Sequence, residues 1–299
     1  MSDVYFSIVL PTYNRIQTIR KVILPSLEIQ NFESFELIIV DDFSDDGTEK
    51  YILSNDFAVE FPKLAKKIKY IRNKINLGSP KSRNVGFSNS VGKWLFMVED
   101  DLEIRDINFL NDAQNLIEVN IIKDTKLAVF SPKRDECLNK GYYKNFNRSL
   151  VNYGFLSKEI YLDPSQEYSG LIENTHACSF IRVDIAKKIQ YDFQSYNYFR
   201  EESDFYERIK LEGFRLYYLG DQLKTFHRMD LASAGGNRKH SVSIFNEFKY
   251  IKSHYIFIKK YFNFSEIRIL FFMIVRFVKH FANMTNSSFL KDFCSYLKL

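Results

Sequence analysis

Residues 35–48 read FELIIVDDFSDDGT, and the reading of this stretch decides the fold. Broken only by Glu36, an apolar run with β-branched side chains goes straight into a pair of aspartates, Asp41 and Asp42. A strand with one wet face alternates in polarity, whereas continuous apolarity suits a strand covered on both faces, as in a parallel sheet between helical layers. The two acids then stand at the carboxyl end of that strand, and Asp45 or Asp46 can cap a helix reaching about residue 53.

Working outward, residues 5–10 form a second apolar run, stopped by Pro11 and followed by a predicted helix over 15–30. Downstream, residues 68–71 read as a strand, 80–88 as a helix, and 94–98 (WLFMV) as a strand running into Glu99, Asp100 and Asp101. Trp94, the only tryptophan, sits in that apolar run and reads as core. This β-α-β-α-β-α-β alternation predicts a parallel, doubly wound sheet over about residues 1–105. Open sheets of this kind bind ligands outside the carboxyl ends of their strands. Polar clusters stand there: Thr12 to Arg15, the two aspartates, Asn73 to Gly78, and the acidic triplet.

Beyond residue 105 the pattern is mixed, with helices expected at 108–122 and 201–212, strands at 127–131, 177–183 and 214–219, and a Tyr/Asn-rich stretch up to 171. No repeat or Gly/Ser-rich linker divides the chain, so 1–105 and 106–240 read as two halves of one domain, followed by a helical extension over 241–299.

The 299 residues suffice for a sizeable core without disulfides, and the three cysteines, odd in number and far apart, fit a reducing, cytoplasmic setting. The first residues, MSDVYFSIVLPTYNR, lack the pattern of a signal peptide. Charge is unevenly placed: nine Lys or Arg face only Glu266 and Asp292 after residue 248, while the preceding body is nearly neutral. A basic, aromatic tail suits the inner face of a phospholipid membrane better than nucleic acid. Apolar positions 270, 273, 274, 277, 278 and 281 fall on one helical face, with Arg268, Arg276 and Lys279 opposite. That face can lie on a membrane, pack on the catalytic body, or join a second subunit in a homodimer.

Taken in order, PTYNR (11–15), VDDFSDDGT (40–48), NLGSPKSRN (76–84), EDD (99–101) and His227 resemble the family 2 glycosyltransferases. The resemblance implies the GT-A fold, an α/β Rossmann-like mixed sheet, and transfer of a sugar from a nucleotide-diphosphate donor, UDP-sugar above all, with inversion. It places Pro11, Thr12, Tyr13 and Asn14 beside the base, with Asp41 or Asp42 accepting its imide N–H. A carboxylate there selects a base that donates, such as uracil. Asn76, Gly78 and Arg83, with Lys81 as an alternative to the arginine, and Asp100 are the further donor contacts.

The diphosphate leaves with negative charge, which calls for Mn2+ or Mg2+ held by Asp101, His227 and Glu99. Where the family has a first Asp this chain has Glu99 or, in a shifted register, Asp100. Glu202, Glu201 and Asp204 resemble the family's acid motif, with Glu202 or Glu201 as the general base and Asp204 as the acid that orients the helix. Arg238, in the glycine-containing loop 233–240, is positioned to close over the diphosphate. The acceptor expected is a glycan or lipid-linked hydroxyl, as in bacterial surface-polysaccharide assembly. No G-x-G-x-x-G follows the first strand and no P-loop occurs, which excludes dinucleotide and P-loop enzymes. The lack of a Q-x-x-R-W motif excludes a processive synthase. A catalytically inactive nucleotide-sugar-binding or scaffold protein is the remaining alternative.

Overall fold

The computed structural model describes residues 4–137, 152–153, 158–159, 167–196, 199–231 and 244–261, with residues 267, 270, 271 and 274 beyond them. In the first half, β1 (Phe6–Thr12), β2 (Phe35–Asp41), β3 (Ile68–Arg72) and β4 (Trp94–Met97) pair in parallel in the order β3-β2-β1-β4. Side chains alternate across the pleat. Phe6, Ile8, Leu10, Leu37, Ile39 and Phe96 therefore pack into one helical layer, while Val9, Ile38, Val40, Leu95 and Met97 pack into the other. The apolar runs are continuous because both layers are dry.

The first layer is built by α1 (Ile16–Lys21), α2 (Ile23–Glu28), α3 (Thr48–Ile52), α4 (Asn55–Glu60) and, later in the chain, α6 (Phe109–Lys123). The expected single helix over 15–30 is in fact two, broken at Val22, where ψ is −74°. Pro25 explains the break, since its ring clashes with the carbonyl four residues earlier and its nitrogen has no proton to donate. The second layer holds α5 (Ser79–Asn89), α7 (Val183–Ile189) and α8 (Glu201–Leu211). Gly86 lets α5 lie close on β1: a Cβ there would stand 2.2 Å from Val9 Cγ1. This close approach carries Ser82 and Arg83 to the strand ends.

Past β4 the sheet becomes mixed. It continues β4-β10-β6-β11-β5, with β10 (Phe180–Arg182) antiparallel to both neighbours, β6 (Leu127–Cys137) parallel to β11 (Arg215–Arg228), and β5 (Leu102–Glu103) at the edge. β9 (Ser169–Ile172) adds to β11, and β7 (Asn152–Tyr153) with β8 (Lys158–Glu159) forms a separate hairpin. Two strands are longer than expected. Pro132 suggests an end to β6, yet β10 pairs with β6 only at Val129 and Phe130, so the strand continues past the proline without losing a ladder bond to β10. The expected strand at 214–219 runs on to Arg228, with a register shift between Leu219 and Lys224. The strand expected at 177–183 is only three residues long, because the chain turns into α7 at Val183. In the tail, α9 (Ile244–Tyr261) is described, and no helix among the described residues is long and apolar enough to cross a membrane.

Candidate functional site

The carboxyl ends of β1, β2 and β4 meet in one cleft, because β1 lies between the other two. Asp42 and Asp101 line it together, along with Pro11, Thr12, Tyr13 and Arg83. On the side of the loops after β1, β2 and β3, side chains fasten those loops to one another. Asp42, 4% exposed, accepts hydrogen bonds from the backbone N–H groups of Leu77 and Gly78 and from Asn73 Nδ2, all at 2.8 Å. Gly78 has φ +82°, a conformation a side chain would strain.

Asp41 is fully buried beneath the cleft, taking Ser44 N–H at 2.8 Å and the Tyr70 hydroxyl. The two aspartates that the sequence leaves equivalent are thus separated by environment. Asn14, at φ 53°, accepts Asp45 N–H at 2.8 Å and donates its own N–H to Ser44, tying the first two loops together. Asp46 accepts N–H groups from both Ile16 and Thr48, serving the starts of α1 and α3 at once. Asn76 is exposed in the turn before α5. Arg238, the loop around it, much of the Tyr/Asn-rich stretch before residue 171 and most of the tail stripe lie outside the described residues.

On the acidic side, Asp101 is 2% exposed, and its carbonyl accepts Arg228 N–H at 2.8 Å, tying the triplet to β11. Arg15 reaches Asp100 at 3.0 Å and Asp101 at 3.1 Å. His227 Nε2 lies 3.3 Å from Asp101, and its Nδ1 lies 2.6 Å from Glu136. Burial works to lower the His227 pKa, but the hydrogen bonds to Asp101 and Glu136 outweigh it and hold the imidazole at about 9. One ligand atom from each of Glu99, Asp101 and His227 lies within 4.8 Å of the others. Two carboxylates and an imidazole are a donor set that Mn2+ accepts, and their spacing fits a shared ion.

On the opposite wall, α8 opens with Arg200 in the left-handed region, at φ 70°. Arg83, 4% exposed, donates to Glu202 at 2.7 Å and reaches Glu99 at 3.5 Å. It therefore faces carboxylates from both walls. Burial, and then the neighbouring Glu202, push the Glu201 carboxyl up to about 8. Asp204 turns away from the cleft. Fully buried, it accepts from Arg208 at 2.7 Å and, across to α9, from Lys260 at 2.8 Å and Tyr261 at 2.6 Å.

Sequence reading passes over three residues of this site. Arg15 stands inside the PTYNR motif, so its position was visible without a role. Arg134 and Glu136 carry no motif, and only the pairing of β6 with β11 brings them to His227.

A doubly wound half that continues into a mixed half, with paired acids at the junction, is the GT-A fold. Residues 7–190 match the model of glycosyl transferase family 2, and the chain belongs to that family. An uncharacterised glycosyltransferase of Haemophilus influenzae is 32% identical over 136 residues, which is 46% of this chain and 41% of that protein, so the match spans less than half of the relative. Among solved structures, S. aureus TarS 1–349 in complex with UDP-GlcNAc has a TM-score of 0.56 at 20% identity, covering 91% of this chain and 72% of that one. GalNAc-T7 with UDP, GalNAc and Mn2+ has a TM-score of 0.56 at 17% identity, covering 75% and 43%. At such identities the likeness is one of fold.

Proposed function

We propose that this protein transfers one sugar from a UDP-sugar to a hydroxyl of a glycan or lipid-linked acceptor, with inversion at the sugar carbon. The observation that carries the reading is the convergence of Asp42, Glu99, Asp101 and Arg83 on one cleft, with Glu202 held against its wall by Arg83. Asp42 accepts the N–H of the base. Its grip on Leu77 and Gly78 holds its carboxylate in place before the nucleotide arrives, so little order is lost on binding. Tyr13, 40% exposed, supplies an aromatic face beside the base.

Asp101, Glu99 and His227 are the residues that would hold Mn2+ or Mg2+, which when bound neutralises the departing diphosphate. The TarS and GalNAc-T7 complexes with UDP-GlcNAc and with UDP and Mn2+ support this assignment by fold alone. Glu202 removes the proton of the attacking hydroxyl, and Arg83 keeps its carboxylate turned to the cleft. Glu201 holds a proton up to about pH 8, which limits repulsion between the adjacent acids while Glu202 works as the base.

Residues 1–105 then serve the donor and 106–240 the acceptor. The basic tail, with exposed apolar Ile267, Leu270, Phe271 and Ile274, favours an anionic lipid surface near a lipid-linked acceptor. The test is calorimetry with UDP, UDP-GlcNAc and UDP-glucose, each with and without Mn2+. Mn2+-dependent uptake of UDP is expected, and a chain that binds no uridine nucleotide with or without the ion overturns the reading. Binding with no release of UDP when acceptors are added would favour the inactive-scaffold alternative.

A further inference from the structure

Glu136 has no place in the motifs and is not one of the three clustered ligand residues, yet it is only 11% exposed and stands against one of them. Strands β6 and β11 run parallel, and the register pairs Glu136 with His227 directly. That pairing depends on the shift between Leu219 and Lys224: Leu219 faces Pro132, but Lys224 already faces the next residue, Lys133, so the extra residues of β11 leave the ladder. Because side chains alternate along a strand, a register slip of one position would turn His227 away from Asp101.

Both carboxylate oxygens of Glu136 are engaged. One lies 2.6 Å from His227 Nδ1, and the other accepts from Arg134 at 3.0 Å. Arg134 also reaches 3.8 Å from Glu99, so a single guanidinium spans Glu136 and one of the clustered carboxylates. His227 Nε2 is left facing Asp101.

We propose that Glu136 is a positioning residue for the divalent cation: it accepts a hydrogen bond from the Nδ1–H of His227, fixing the ring so that Nε2 is the nitrogen left for the ion, and Arg134 holds Glu136 in register with Glu99. A histidine that ligates a metal through one nitrogen needs the other tied to an acceptor, and removing such an acceptor typically weakens metal binding about 10- to 100-fold. The inference rests on the metal assignment made above and names the group that makes His227 competent for it.

The test uses the full chain and Mn2+ alone, followed by the paramagnetic resonance signal of the free ion and by calorimetry, with no nucleotide present. Glu136→Leu should weaken Mn2+ uptake about 10- to 100-fold, and Glu136→Gln, whose amide oxygen can still accept the Nδ1–H hydrogen bond while its NH2 gives up the tie to Arg134, should recover part of that loss. A Glu136→Leu, His227→Ala double variant should bind no more weakly than His227→Ala, since the glutamate acts only through the ring. Should Glu136→Leu not fold, Glu136→Asp, one methylene short of the ring, replaces it with an expected loss of about tenfold.

Wild-type affinity in both Glu136→Leu and Glu136→Asp overturns the inference alone, as do losses that add in the double variant. A wild-type chain that takes up no Mn2+ overturns the metal assignment and this inference with it, while uridine nucleotide binding separately decides whether the donor reading stands.

Discussion

The two walls of the cleft are built on different principles. On the donor wall the ties run largely from side chain to backbone: Asp42 holds Leu77 and Gly78, Asn14 holds Asp45, and Asp46 holds Ile16 and Thr48. On the opposite wall the named ties join ionisable side chains from separate elements: Arg83 with Glu202, Glu136 with His227, and Asp204 with Lys260. A backbone tie fixes the shape of a loop, and that shape suits a ligand part that never changes, such as a nucleotide. A side-chain pair sets charge and can respond to what binds, which suits the wall where a proton moves and a leaving group departs. Each prediction below attacks one side of that contrast.

The largest effect is expected from Glu202→Gln. Transfer should fall about 10²- to 10⁴-fold while UDP affinity is kept, as read by turnover against calorimetry. If UDP binding falls in parallel, the two walls are not separable. Next comes Asp204→Ala, which strips a buried carboxylate from Arg208, Lys260 and Tyr261 together. Breaking such a pair costs about 3–5 kcal/mol, so the urea midpoint should drop sharply, again with UDP affinity kept in the folded protein. An unchanged midpoint would show that α9 is fastened to α8 by its apolar contacts alone.

Glu201 tests the wall by pH. Its carboxyl is raised from 4.5 to about 8, so between those values the folded chain keeps a proton that the unfolded chain releases. Stability must therefore fall as pH rises through this window and level off on either side. Glu201→Gln removes the titration, and its melting temperature should decline less between about pH 5 and pH 8.5 than that of the wild type. Parallel curves would place the carboxyl in water.

The same contrast explains what the sequence reveals. Local signals build the donor wall: continuous apolar runs mark β1, β2 and β4, and the acids follow them directly in the chain, so Asp42 and Asp101 could be placed at one sheet edge before any coordinates. The break at Val22 was the miss there, although Pro25 was in plain view. The other wall depends on register. Nothing local in the residues around Glu136 announces His227 as its partner, because the two stand 91 positions apart and the chain between them includes a strand shift that no periodicity predicts. Likewise Asp204 looks like any acid in the first turn of a helix until α9 is laid over it.

The smallest expected effect is also the sharpest test of the donor wall. Asp42 uses one oxygen for Asn73 and Leu77 and the other for Gly78, so each is already matched to a donor. In Asp42→Asn an NH2 group must replace one oxygen, and it then confronts an N–H whichever way the amide is turned. One tie is lost, at about 1–3 kcal/mol less a share recovered by water at the half-exposed turn. The base also loses a charged acceptor, so UDP affinity should fall about tenfold. Mn2+ uptake without nucleotide should not change, because the ties of Asp42 run to Asn73, Leu77 and Gly78, whereas the clustered ligand residues are Glu99, Asp101 and His227. If Mn2+ uptake fell as well, the two sets of ties would be one network, and the division between a wall shaped by backbone and a wall shaped by charge would fail.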